Sequence, residues 1–386
     1  MAGSDLRHER RALTVGVALA VAVAGLGFAV LALRPDSAGR PTSEAQSSPT
    51  GAVAVMGNGL IAFGCGYRIC TMAPDGSGVI DLIQGYDKSV VVAGYWPAWS
   101  PEGTRIAFSG YDHEGSSSGG GANYDVYIMN VDGSDLHNLT KSPDDVARGA
   151  SQGPPVWSPD GTTLAFEGDD GKTDGLYVIN ADGTGFQRIA DGGSPEWSPD
   201  GTRILFTMGV SHGSNLYTVA PDGAAVAQLT DSPGWDQQPS WSPDGTRIAF
   251  ERSDGEANSV FVMASDGSNE REVFQEKGVY PNQPLWSPDG TQLLFEAYTK
   301  TAEGNYDLYI VNADGSGSTD LTPTMDRAEN APVWSPDGTM IAFRATTQLT
   351  VDTADYQVFS IRPDGTHEER LTTDQSGYSL AWQSTE

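Results

Sequence analysis

From residue 60 onward the apolar positions fall in short bursts of three, most of them large, small and large side chains, each set between polar, glycine-bearing segments. The bursts are Ile61-Ala62-Phe63, Ile106-Ala107-Phe108, Leu164-Ala165-Phe166, Ile204-Leu205-Phe206, Ile248-Ala249-Phe250, Leu293-Leu294-Phe295 and Ile341-Ala342-Phe343. Runs this short, alternating with a period of two, predict strands. Ahead of six of them stands Trp-Ser-Pro-Asp/Glu-Gly, beginning at Trp99, Trp157, Trp197, Trp241, Trp286 and Trp334; a last Trp382 lacks the turn. Ser, Pro, Asp and Gly in that order suit a type I turn closed by a residue at positive φ. Behind each burst comes a strand ending in a second Asp-Gly turn, as in Tyr177-Val178-Ile179-Asn180-Ala181-Asp182-Gly183. A final short strand ends near Leu-Thr, at Leu139-Thr140, Leu229-Thr230, Leu321-Thr322 and Leu371-Thr372. Each unit therefore holds four strands, A to D.

Between successive tryptophans the steps are 58, 40, 44, 45, 48 and 48 residues. Self-similarity at this period, with short strands and glycine turns, predicts an all-β chain folded as a β-propeller. Leu60 to Ile83 lacks a tryptophan strand, and Ser379-Leu380-Ala381-Trp382 is a tryptophan strand lacking all that follows. The two are expected to complete one composite blade, making seven four-stranded blades in a ring without open edges. In the large-small-large bursts, the small side is expected to face a neighbouring blade closely. The repeated Trp and Phe are structural, since burying each stabilises by roughly 1.5–3 kcal/mol or more.

The N-terminus reads as a separate device. Residues 1–11 carry Arg7, Arg10 and Arg11, and residues 12–33, from Ala12 to Leu33, are uncharged and long enough to span a bilayer. The expectation is a single-pass helix with a cytoplasmic tail and an extracytoplasmic propeller over residues 56–386. A cleaved signal peptide, with Val30 and Ala32 at its cleavage site, is the competing reading. Residues 34–55, rich in Pro, Ser, Thr, Ala and Gly, read as a flexible tether. The only cysteines, Cys65 and Cys70, flank a B–C hairpin and outside the cytoplasm should form a disulfide.

Charge narrows the partners. With 22 basic and 51 acidic residues the net charge is −29, and the acids of the repeated turns account for only part of it. A nucleic-acid partner is disfavoured; a solvated acidic surface, a basic partner or divalent cations fit. Asp112-His113-Glu114 and Asp169-Asp170 are acidic segments of a kind that binds Ca²⁺, with solvated loops as the plainer reading and no cofactor expected. Gly209-Val210-Ser211-His212-Gly213 matches the nucleophile-elbow pattern but lies between two strands, without the strand-to-helix turn that the elbow needs. Gly57-Asn58-Gly59 precedes a strand with no helix and is no dinucleotide loop. The histidines, His8, His113, His137, His212 and His367, show no metal-site spacing.

The repeat Pro-x-Trp-Ser-Pro-Asp-Gly-Thr-x-Ile-Ala-Phe, followed by Leu-Tyr-Val-Ile-Asn-Ala-Asp-Gly and Leu-Thr, resembles the WD40-like (PD40) repeat of the TolB family from about residue 60 to the end. The resemblance implies a bacterial extracytoplasmic propeller whose relatives bind proteins, the best-known being a six-bladed periplasmic propeller that binds a peptidoglycan-associated lipoprotein. This chain departs from that relative in its seven units, its membrane anchor and the lack of a preceding α/β domain, so that partner does not carry over. Similar repeats build the propellers of prolyl-oligopeptidase-type peptidases, whose hydrolase domain is missing here, and of oligogalacturonide lyases, whose His-rich metal site has no counterpart in the sequence.

Function is therefore expected to be non-catalytic binding of an envelope or extracellular protein by a monomeric propeller. The alternatives are a propeller enzyme or carbohydrate-binding protein acting on an envelope polymer, and the ligand-gathering ectodomain of a membrane complex. A–B and C–D turns share one rim and are stereotyped; B–C and D–A loops share the other and vary, as in Ser109–Tyr124 and Lys141–Pro155. Variable loops on a rigid scaffold are the usual seat of function. Just before each A strand lie residues that the repeat does not explain: Tyr95, Arg148, Gln152, Trp235, Asp236, Gln237, Gln238, Tyr280, Asn282, Gln283, Arg327, Glu329, Asn330 and Tyr378. They are the expected ligand- or partner-binding residues at the channel mouth, with Trp235 and Tyr280 foremost as exposed aromatics.

Overall fold

A computed structural model describes residues 59–86, 93–111, 124–140, 149–150, 153–169, 174–300, 305–324, 327–346, 356–373 and 377–384. The N-terminal stretch read as an anchor lies outside these residues. Among those described, no helix is long and apolar enough to cross a membrane, and every regular element is a strand.

The strands pair as antiparallel meanders in the order A-B-C-D. One such sheet runs Ala93–Trp99, Arg105–Tyr111, Asp125–Asn130 and His137–Asn138; another runs Val279–Trp286, Gln292–Thr299, Asn305–Asn312 and Thr319–Asp320. The described strands form six hydrogen-bonded sheets, because two neighbouring units are joined by one parallel bridge, Ser214 to Trp235. The sheet that opens the chain takes its A strand from the other end: Gly377–Trp382 pairs with Ile61–Cys65, placing Trp382 opposite Ile61. A strands touch A strands of neighbouring units, Gly377–Trp382 against Ala93–Trp99 and Gly193–Trp197 against Trp235–Trp241 among them. D strands contact mainly their own C strand. The A edges therefore face inward and the D edges outward.

The turns explain the spelling of the repeat. In Trp-Ser-Pro-Asp-Gly-Thr, the Gly161 N–H donates to the Ser158 carbonyl at 2.9 Å, and Asp160 accepts from the Ser158 hydroxyl at 2.6 Å and from the Thr162 N–H at 3.0 Å. Gly161 sits at φ 68°, which a side chain would strain. The same bonds recur around Asp200, Asp244, Asp289 and Asp337.

Packing between units uses the bursts. Ile106 and Phe108 of one B strand pack with Ala62 of the unit before; Leu164 and Phe166 pack with Ala107, and Ile61 and Phe63 with Ala342 near the other end of the chain. Four of the tryptophans add a directional bond, the indole N–H donating to a carbonyl of the preceding unit: Trp99 to Ala381 at 3.2 Å, Trp157 to Ala98 at 3.1 Å, Trp197 to Val156 at 3.2 Å and Trp286 to Ser240 at 3.1 Å. Buried Gln383 ties the two ends together. Its Oε1 accepts from the Leu60 N–H at 2.8 Å, and its Nε2 donates to the Gly103 carbonyl at 2.6 Å.

Gln383→Ala removes both side-chain bonds and leaves a buried N–H and carbonyl without partners, a loss of about 2–4 kcal/mol. Deleting residues 379–386 should cost more, on the order of 5 kcal/mol, because an apolar strand goes with it. Thermal unfolding of the two variants checks this. Melting temperatures equal to that of the intact chain would show that the joined ends do not stabilise the sheet.

Candidate functional site

The residues singled out from the sequence lie within the A strands, in their first halves, rather than just ahead of them. Trp235, Asp236, Gln237 and Gln238 belong to Trp235–Trp241; Tyr280, Asn282 and Gln283 to Val279–Trp286; Glu329 and Asn330 to Ala328–Trp334; Tyr95 to Ala93–Trp99; and Tyr378 to Gly377–Trp382. Arg327 directly precedes its strand, and Arg148 and Gln152 lie outside the described residues. The variable loops run on into sheet edges, so pairing begins earlier than the loop-like composition suggests.

Five of the A strands are each broken by a bulge. The ladder shifts between Tyr95 and Ala98, Gly193 and Glu196, Gln237 and Ser240, Asn282 and Leu285, and Asn330 and Val333. Inside the shift a residue other than glycine takes positive φ: Trp96 at 50°, Ser194 at 53°, Gln238 at 51°, Gln283 at 54° and Ala331 at 50°, each directly before a proline. Such backbone costs about 1–3 kcal/mol per residue and must be held from outside. The holding groups come from the preceding unit. The Ala331 N–H donates to Glu296 at 2.8 Å, the Ser194 N–H to Glu167 at 3.2 Å and the Trp96 N–H to the Ser379 hydroxyl at 3.0 Å.

Much of the predicted set is occupied by such holding. Asp236 is wholly buried and grips Arg252 with both oxygens, at 2.6 and 2.8 Å. Glu329, also wholly buried, accepts from Arg327 at 2.8 Å, while Arg327 reaches on to Glu368. Asn330 accepts from Arg344, and Asn282 donates to Glu296 at 3.1 Å. Tyr280 is half-buried against Tyr298, not the exposed aromatic expected, whereas Trp235 is 40 % exposed.

The densest aromatic group forms around Tyr95. Tyr67 meets it edge-on with ring centres 6.1 Å apart, Trp96 and Tyr124 stand within 5.7 Å, and Tyr111 stacks at 6.5 Å. Tyr67, 56 % exposed, tips a two-residue hairpin in which Gly66 and Tyr67 both take positive φ and the Cys65–Cys70 disulfide joins the strands. Tyr111 and Tyr124 flank the variable B–C loop of the next unit. Sequence reasoning found Tyr95 alone, because Trp96, Tyr111 and Tyr124 meet it only through the pairing of their own sheet and Tyr67 only across to the neighbouring one.

Acids were missed as well. Glu167, Glu251 and Glu296 each follow the phenylalanine of a burst, a regularity visible once the repeats are aligned. Glu251 is 3 % exposed and is pushed up to about 7, by burial first and by the neighbouring charge of Glu296, against a hydrogen bond from Gln237. Burial pushes Glu329 to about 7 and Glu196 to about 8, and Asp307, which Asp320 also repels, to about 6. Glu196 lines a cavity of about 420 Å³ with Trp99, Trp157, Trp197 and Trp382 at the Asp-Gly end of four A strands, the rim opposite to the variable loops. Among the described residues no group of three or more His, Cys, Asp or Glu could hold a metal ion. Of the acidic loop segments considered for Ca²⁺, Asp169 is on a strand end, and Asp112-His113-Glu114 and Asp170 lie outside the described residues. Ser211 and His212 sit at the tip of a hairpin between Ile204–Val210 and Gly213–Val219, so no nucleophile elbow is formed.

The signature of the TolB β-propeller domain, PD40, matches residues 190–385, just over half of the chain. The chain belongs to the TolB β-propeller family. Among solved structures, TolB of Acinetobacter baumannii superposes with a TM-score of 0.52 at 21% identity, over 74% of this chain and 68% of that one. An oligogalacturonate lyase of Vibrio parahaemolyticus gives 0.57 at 15% identity, over 81% and 84%. A puromycin-hydrolysing peptidase of Mycobacterium tuberculosis gives 0.56 at 15%, over 78% of this chain but only 49% of that one. At these identities the likeness shows the propeller fold alone. No curated protein sequence matches the chain.

The shifted acids of this TolB-like propeller set its pH dependence. Asp200 and Asp244, held near 2 by bonds from the turn Ser and Thr, stabilise the fold above their ordinary 3.8, and that contribution is lost as pH falls towards 2. Glu196, Glu251 and Glu329 act in the opposite sense. Their folded values exceed 4.5, so their contribution is whole below 4.5 and is lost as pH rises to about 7–8. Melting temperature should therefore peak at about pH 4–5, and Glu251→Gln should flatten the alkaline limb. A melting temperature that climbs steadily from pH 5 to 8 would contradict these assignments.

Proposed function

We propose that this chain is a seven-bladed, membrane-anchored propeller that works outside the cytoplasm as a non-catalytic protein-binding scaffold, through its B–C/D–A loop face. In support of seven blades in a closed ring, the packing of one burst's outer residues on the central residue of the burst before it passes from unit to unit and returns from Ala342 to Ile61 and Phe63. Pairing of Gly377–Trp382 with Ile61–Cys65 supports the composite blade.

The observation that carries the binding reading is the five-ring cluster Tyr67, Tyr95, Trp96, Tyr111 and Tyr124 on the loop face. Tyr and Trp at a rim offer large rigid contact area at low entropic cost, and they are the residue types that dominate binding energy at interfaces. The disulfide beneath Tyr67 pre-organises the hairpin that presents it. The enzyme alternative rests on Glu251, whose raised value suits a general acid or base.

Two measurements test this. With residues 56–386 as bait in envelope extract, a partner retained by the unmodified protein should be recovered at least tenfold less with Tyr67→Ala/Tyr111→Ala, at unchanged melting temperature. Recovery untouched by that pair, but abolished by Glu251→Gln, would move the site to the B strand that carries Glu251. For the location, protein isolated from the envelope should react with no thiol reagent until it is reduced; two free thiols would place the propeller in the cytoplasm.

A further inference from the structure

The cavity on the opposite rim carries a second reading, independent of the loop face. Buried acids on the A strands elsewhere have an internal cation: Asp236 holds Arg252, and Glu329 holds Arg327. Glu196 has none among the described residues. Both its oxygens accept from the Trp241 backbone N–H, at 3.1 and 3.0 Å, and its carboxyl borders the cavity. The corresponding residues before the other tryptophans are Ala98, Val156, Ser240, Leu285, Val333 and Ala381, so neither the turn nor the packing requires an acid there.

The walls show a matching gap. Where a B strand opens with arginine, its guanidinium lies over the next unit's tryptophan: Arg105 over Trp157 at 4.8 Å, Arg203 over Trp241 at 5.0 Å and Arg247 over Trp286 at 4.4 Å. In the units before Trp99 and Trp197, the same place holds Leu60 and Thr163. Both of those tryptophans line the cavity with Glu196. An acid without a partner cation beside indole faces without their guanidinium is the chemistry that receives an organic cation from outside, whose approach favours the ionised carboxylate.

We propose that this cavity binds the ammonium or guanidinium group of a lysine or arginine side chain presented by a partner, with Glu196 as counter-charge and Trp99 and Trp197 as walls. The net charge of −29 favours approach of such a basic segment.

Calorimetric titration of residues 56–386 with Nα-acetyl-lysine methylamide, its arginine counterpart and the uncharged norleucine analogue tests it. Both cationic probes should bind saturably, norleucine at least tenfold more weakly, and Glu196→Gln should lose at least tenfold for the cations. Thr163→Arg, which places an internal guanidinium over Trp197 as Arg105 does over Trp157, should block the probes even if Glu196→Gln unfolds the protein. Equal binding of norleucine, no binding of either cation, or full binding by a folded Thr163→Arg variant would overturn the proposal. These outcomes leave the loop-face reading untouched, since Tyr67 and Tyr111 take no part in them.

Discussion

The structure depends on the packing of one sheet's large side chains against the central residue of the burst in the sheet before it. Ile248 and Phe250 close on Leu205, and Leu293 and Phe295 on Ala249, with no exposed surface at any of the six. A four-stranded meander has two apolar faces and cannot bury both by itself, so a unit is stable only between neighbours. The same condition explains the borrowed A strand of the first unit. Without Gly377–Trp382, the backbone of Ile61–Cys65 would lie open along the inward edge.

Rigid neighbours allow strain to be held at the inner edge. Five A strands keep a residue other than glycine at positive φ before a proline, and three of those residues have their N–H bound by a Glu or Ser of the preceding unit. An isolated hairpin would relax such a bulge. Here the neighbour over-determines it, and the bulge re-aims the side chains on either side. Residues such as Asp236, Glu329 and Asn330, which look functional by type and place, thereby spend their polar groups inside the fold.

Two surfaces escape that internal use, on opposite rims. At one, Tyr67, Tyr95, Trp96, Tyr111 and Tyr124 gather from two adjacent units around a disulfide-bonded hairpin. At the other, Glu196 stands without an arginine beside tryptophans that elsewhere carry one. Both arise where the repeat departs from itself, and a repeat protein can vary there without losing the packing that joins its units.

By itself the sequence determined what depends on local chemistry. The bursts, the Ser-Pro-Asp-Gly turns and the Asp-Gly hairpins specify strand, turn and strand within a few residues, so the four-strand unit and its family were legible without coordinates. The sharing of one sheet by the two chain ends was legible too, because Ile61-Ala62-Phe63 lacks a tryptophan strand and Trp382 lacks a turn. What only the tertiary structure decided was which polar groups are already bound. Asp236 and Glu196 look alike in sequence, each an acid in the approach to a tryptophan. One faces Arg252 across its own sheet, and the other faces a cavity formed by four strands far apart in the chain. That difference arises from contacts between residues distant in sequence, which no local pattern encodes.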